Sequence, residues 1–177
     1  SVGYRLCPEV HLEDIVADFY AALVAVRANA EAWGVDLDRV VVGGFSAGAH
    51  IAGLGATALN DGAFDPPPGV PRIRAILSQD GNMMSSLFSA AVPVGTLDAD
   101  GNDLSPAPAI ARLLGCPDPT LRRCPPERIA QSDIATYSDP GDPPLYLIAG
   151  THSLIPYAVQ TRTRDVVRAA GQTVVFD

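Results

Sequence analysis

The sequence has 177 residues, long enough for one domain with a real core. Its 47% hydrophobic and 18% charged content is that of a globular chain, not a disordered one. A net charge of −8 argues against nucleic acid and anionic membrane surfaces as partners, and no apolar run reaches membrane-spanning length.

The first residues, SVGYRLCPEV, lack the basic-then-apolar pattern of an export signal and begin without Met, as a processed chain or a fragment does. Leu12, Ile15, Val16, Phe19, Leu23, Val26, Ala30 and Trp33 recur every three or four residues. That spacing predicts one amphipathic helix from about 11 to 33, stopped by Gly34. RVVVGG (39–44) predicts a short buried strand, and the Ala-, Leu- and Ile-rich residues 47–59 a second helix. RIRAILS (72–78) and PLYLIAG (144–150) read as further strands ending in turn residues. Between 85 and 135 the pattern weakens, with short helices expected near 106–114 and 126–131 and apolar loops around 83–97. Pro156 and Gly171 bracket a helix over about 156–170, and TVVFD closes the chain as a strand. Pro- and Gly-rich stretches such as DGAFDPPPGVP read as loops on one body, residues 1–177, and there is no internal repeat.

Strands alternating with helices imply an α/β fold, a mostly parallel sheet with helices on both faces. In such sheets ligands bind beyond the carboxyl ends of the strands. Three strand ends therefore matter: residues 44–46, residues 79–81 and residues 150–156.

The first of them is Gly44-Phe45-Ser46-Ala47-Gly48, a G-x-S-x-G pattern between a predicted strand and a predicted helix. A strand that turns abruptly into a helix strains the turn residue and pushes its side chain outward. Glycines two positions either side leave room where the two backbones crowd. Ser46 then sits at a helix N-terminus as a candidate nucleophile, with the Ala47 N–H aimed where an oxyanion would form.

The stretches YRLCPEV (4–10), LEDIVADFYAALVAVRANAEAWGVDLDRVVVGGFSAGAHIAGLGAT (12–57) and DPPLYLIAGTHSLIPYAVQTRTRDVVRAAGQTVVF (142–176) carry a resemblance. The chain resembles α/β-hydrolase esterases of the hormone-sensitive-lipase and feruloyl-esterase-like (BD-FAE-like) branch. The resemblance implies an α/β-hydrolase fold, with residues 4–6 as a strand, and hydrolysis of small-molecule carboxylic esters. It also implies a Ser-Asp-His triad and no metal or cofactor.

A serine hydroxyl needs a base, and the base an orienting acid. The family's acid lies in a segment like H-G-T-x-D-x-x-V-P; here the stretch is AGTHSLIP (149–156), and the acid position is Ser153. A serine carries no negative charge, so Asp80, at the end of the strand that follows the sharp strand-to-helix turn at Ser46 (the elbow), is the candidate substitute acid. Its other reading is a turn residue before Gly81-Asn82. The resemblance places the catalytic histidine after a strand at which this sequence stops, and a His-Gly-Gly-Gly oxyanion segment before residue 1. The strand bearing that segment would lie between YRL and RVVVGG, so a gap in the sheet is expected, and the chain reads as truncated at both ends. Of its three histidines, His50 is expected to pack beneath the elbow and His11 to cap a helix or face solvent. His152, beside the acid position, is expected to structure its loop, with a base as the alternative.

Cys116 and Cys124 bracket PDPTLRR, where they either close a disulfide loop worth about 2.5 kcal/mol on a chain-entropy estimate or stand as free thiols. Secreted relatives carry such a pair, so the resemblance implies an exported parent. Cys7 is expected to be buried at a strand exit, and no spacing resembles a zinc site. The leading reading is a serine esterase, weakly active or inactive as given. The alternatives are a catalytically dead binding or scaffold domain and a serine peptidase on the same fold.

Overall fold

Leu12, Ile15, Val16, Tyr20 and Leu23 line one side of helix α1 (Leu12–Ala28) and are all buried, as an apolar stripe at spacings of three and four requires. The computed structural model describes residues 1–151 and 153–177. The helix ends sooner than its periodicity predicts. Asn29 turns its side-chain amide back onto the Ala25 carbonyl, at 2.8 Å, in competition with further helical pairing. A separate turn of helix, α2 (Ala30–Trp33), ends at Gly34 in the left-handed conformation. Trp33, which its spacing assigns to the stripe, is exposed.

Four strands follow: β1 (Val40–Phe45), β2 (Ile73–Gln79), β3 (Leu145–Ile148) and β4 (Val174–Phe176). They pair in parallel in the order β1-β2-β3-β4. Helix α3 (Ala47–Ala58) joins the first two, and α7 (Tyr157–Ala169) joins the last two. The long middle connection carries α4 (Ser85–Ala91), α5 (Ala107–Leu114) and α6 (Pro126–Ala130). Residues 83–97, expected as an apolar loop, thus contain a helix.

The strand order decides which face is covered. Right-handed crossovers that all step the same way along a sheet deliver their helices to one face, and here the order never reverses. Val40, Val42, Ile76, Leu145, Leu147 and Val174 pack with Ala52 and Ala56 of α3, Val167 of α7 and Leu23 of α1. Leu145 and Leu147 are wholly buried, each burial contributing about 1.5–3 kcal/mol. On the opposite face Val41 and Phe45 are 59% and 63% exposed, with Leu77, Tyr146 and Val175 exposed beside them. The expectation of helices on both faces is therefore corrected: among the described residues, helices cover one face.

Residues 4–6, expected as a strand, form none. The segment runs without regular structure into a turn at residues 7–9 that contains a cis Cys7–Pro8 peptide. It is pinned to α1 by Arg5, whose backbone N–H and guanidinium both donate to the Asp18 carboxylate at 2.9 and 2.8 Å. A strand needs a neighbour to pair with. A cavity of about 420 Å³, lined by Ser1, Val2, Tyr4 and residues 41–44, separates this segment from β1. Among the described residues no strand pairs with that edge of β1.

Candidate active site

The turn from β1 into α3 is made at one residue. Ser46 has φ 51° and ψ −120°, a left-handed region that costs a non-glycine residue of order 1–3 kcal/mol. Two backbone bonds hold it there. Its N–H donates to Gln79 O at the end of β2 (2.9 Å), and its carbonyl accepts from His50 N–H in the first turn of α3 (3.1 Å). The side chain makes no capping bond, and the residue is exposed. Ala47 opens α3, so its N–H has no acceptor within the helix.

The flanking glycines play unequal parts. A Cβ on Gly44 would lie 2.5 Å from the Gly48 carbonyl carbon and 2.7 Å from Ala49 N, so close strand–helix approach requires glycine there. A Cβ on Gly48 would point into open space. The crowding explains the first glycine only.

Ser46 lies where two cavities meet. One, about 470 Å³ and mostly apolar, is walled by Tyr4, Ile15, Ile51, Phe88, Ile110 and Leu113. The other, about 530 Å³, is lined by Phe45, Asp80, Gly150, Ser153 and Leu154. Ser46, Leu154 and Ile155 border both. All three strand ends singled out above thus converge on one opening.

Asp80 is half-buried with φ 48°. Its N–H donates to Ile148 O and its carboxylate accepts from Gly150 N–H at 2.8 Å. It ties the end of β2 to the end of β3 while bordering the second cavity. Ser153 Oγ accepts from Ile155 N–H at 3.2 Å, a local turn bond that needs no charge.

Both described histidines are occupied elsewhere. His50 is buried, donates from Nε2 to Ser132 O at 2.7 Å, and has its pKa lowered by desolvation, so its ring is held neutral. His11 precedes α1, where its N–H donates to the Asp14 carboxylate and its Nδ1 to Arg112 O at 3.0 Å. His152 lies outside the described residues. Cys7, expected to be buried, is half-buried on the wall of the apolar cavity. Cys116 and Cys124 form the disulfide alternative, linking the second residue after α5 to the loop before α6. Among the described residues no cluster of His, Cys, Asp and Glu could hold a metal ion, and no helix is long and apolar enough to cross a membrane.

Sequence reasoning passed over Asp133. It is buried, and its carboxylate accepts from both the N–H (3.1 Å) and the hydroxyl of Ser86 in the first turn of α4. Burial raises its pKa. The partner lies 47 residues away, in a stretch without clear periodicity, so no local pattern announces it.

The chain is similar to known proteins in parts of its sequence and in its fold. Over 66 residues, 37% of this chain, it is 36% identical to esterase LipQ and 35% identical to the probable carboxylic ester hydrolase LipM, both of Mycobacterium tuberculosis. It is 41% identical over 59 residues, 33% of this chain, to an arylesterase of Saccharolobus solfataricus. These matches span only 16%, 15% and 19% of those proteins. Among solved structures, a truncated carbohydrate esterase from gut microbiota superposes with a TM-score of 0.78 at 20% identity, over 99% of this chain and 63% of that one. Esterase B from Lactobacillus rhamnosis superposes with a TM-score of 0.76 at 22% identity, over 99% of this chain and 52% of that one. These likenesses establish the α/β-hydrolase fold. The BD-FAE family model matches residues 1–163, and the chain belongs to that family.

Proposed function

We propose that this chain carries the catalytic core of a carboxylic ester hydrolase, with Ser46 as nucleophile and the Ala47 N–H as one oxyanion donor. The observation that carries the reading is the strained, exposed Ser46 between β1 and α3, on the border of both cavities. An ester carbonyl at Ser46 could send its apolar part into the cavity walled by Phe88 and Ile110. Its other part would then lie beside Asp80 and Ser153. Asp80 is the proposed acid, since it is the carboxylate bordering Ser46 in the second cavity. The esterases to which the chain is similar, LipQ and LipM among them, support the reaction class.

A fluorophosphonate ester tests the nucleophile, because it phosphonylates a serine only where an activated hydroxyl and an oxyanion site coincide. Labelling is expected on the peptide containing Ser46 and nowhere in Ser46→Ala. Absence of labelling would remove the nucleophile assignment.

One observation favours a second reading, a binding domain without turnover: His11 and His50 both donate to backbone carbonyls and neither is free to act as base. Turnover of p-nitrophenyl butyrate separates the two readings. We expect a Ser46-dependent rate well below about 1 s⁻¹. A faster one would assign the base to His152.

A further inference from the structure

Three consecutive residues, 132–134, hold the helix of the elbow and the wall of the apolar cavity together. Ser132 O accepts from His50 Nε2–H on α3, one turn beyond Ser46. Ile134 N–H donates to Met83 O, just before α4 (2.9 Å). Between them, Asp133 takes the N–H and hydroxyl of Ser86.

Helix α4 depends on that carboxylate. It has seven residues and no side-chain cap from its own N-cap residue, Met84, and so short a helix is marginal alone. Asp133 supplies the missing cap from across the chain. Two residues after Ser86, Phe88 lines the apolar cavity, and Asn82 lines it from just before the helix. Asn82 is bonded to the first turn through Ser85 Oγ at 3.3 Å. Asp133 itself is only 6% exposed, and among the described residues it has no ion-pair partner. A buried carboxylate without a cation is costly to keep. Here it has a definite mechanical use.

We propose that Asp133 is a positioning residue that sets the depth of the apolar cavity: by capping α4 it fixes Phe88 and Asn82 relative to Ser46, and so selects esters by the length of their apolar chain without touching them. This rests on the apolar cavity receiving that chain, as in the function proposed above. Loosening the first turn of α4 lets Phe88 withdraw or swing inward. Either movement changes the fit of a long chain and leaves a two-carbon acyl group at Ser46 unaffected.

The test reads binding, not turnover, in a Ser46→Ala background. Affinities for p-nitrophenyl acetate and p-nitrophenyl octanoate are measured in that parent and with Asp133→Ala, Asp133→Asn or Ser86→Ala added. In Asp133→Ala the octanoate Kd is expected to change about tenfold, the scale of a lost helix cap, and the acetate Kd by less than about twofold. Asp133→Asn keeps an acceptor for Ser86 N–H and should stay close to the parent. Ser86→Ala, which removes only the hydroxyl bond, covers the case in which Asp133→Ala fails to fold, with an expected shift in the same direction of about threefold. Amide exchange over residues 85–91 should rise in Asp133→Ala. Equal changes for both esters, an unchanged octanoate Kd in folded variants, or unchanged exchange in α4 would overturn the proposal. So would a parent that binds neither ester. Phosphonate labelling of wild-type Ser46 stands apart from these outcomes, so a failure of the nucleophile assignment remains distinguishable.

Discussion

At the carboxyl ends of the strands, Asp80 sits on left-handed backbone, accepts from Gly150 N–H with its carboxylate, and borders a cavity of about 530 Å³. At the amino ends, Asp142 is buried beside a cavity of about 170 Å³, and both of its carboxylate oxygens are bonded, one by Asn60 Nδ2 (3.0 Å) and the other by Asp139 N–H (2.7 Å). The same residue type does different work at the two ends. One end is finished for stability, with its polar groups satisfied and little space left. The other is left open, with strain at Ser46 and Asp80 and room for a ligand.

If that division holds, changes at the carboxyl end should move reactivity and changes at the amino end should move stability. The largest expected effect is that of Ser46→Ala, which should lower phosphonate labelling by about 10³-fold or more, with the melting temperature little changed, since alanine meets the same backbone strain as serine at φ 51°. A large loss of stability would show that the elbow is structural. Next comes Gly44→Ala, whose Cβ would collide with the Gly48 backbone; urea denaturation should report a loss of about 1–3 kcal/mol. Gly48→Ala, with open space around its Cβ, should be neutral or slightly stabilising. Equal costs for the two would refute the close strand–helix approach.

Asp80→Asn keeps an acceptor for Gly150 N–H and removes the charge. Labelling of Ser46 is expected to slow by about tenfold, with little change in melting temperature, whereas Ser153→Asp should leave the rate unchanged or raise it. An unaltered rate in Asp80→Asn would return that residue to a turn role. The smallest effect belongs to Asp142, whose carboxyl pKa burial raises to about 6 from a usual value near 3.8. The folded state then holds this proton up to about pH 6, where the unfolded chain has already released it. Its contribution to stability therefore falls as pH rises from about 4 through 6. Melting temperatures of wild type relative to Asp142→Asn should decline across that interval. Parallel curves would show that Asp142 titrates normally.

What the sequence made legible follows the same division between near and far. The elbow is written in twelve adjacent residues, 39–50: a β-branched run, Gly44, Ser46 and a small-residue helix. Each of these acts on its immediate neighbours, so periodicity and motif spacing suffice. Helix α4 escaped because its cap, Asp133, lies 47 residues downstream. The break at Asn29 escaped because one side-chain amide outweighed an uninterrupted apolar stripe. Coverage of the sheet on one face depends on strand order, and periodicity identifies strands without saying which are neighbours. Asp80 was legible as a strand-end carboxylate, but its bond to Gly150, 70 residues away, was not.

The unreversed strand order also has a consequence in time. A chain made from its amino terminus adds each strand beside the one just completed, so the sheet can grow in the order of synthesis, at about 5–20 residues per second. The elbow cannot be secured at once, because Ser46 N–H must wait for Gln79 O at the end of β2. The cavity beside it waits longer, until Gly150 N–H arrives to engage Asp80. A nascent chain that has passed β2 but not β3 therefore has its serine in place and no walled second cavity around it. The carboxyl end of the sheet is begun early and completed late.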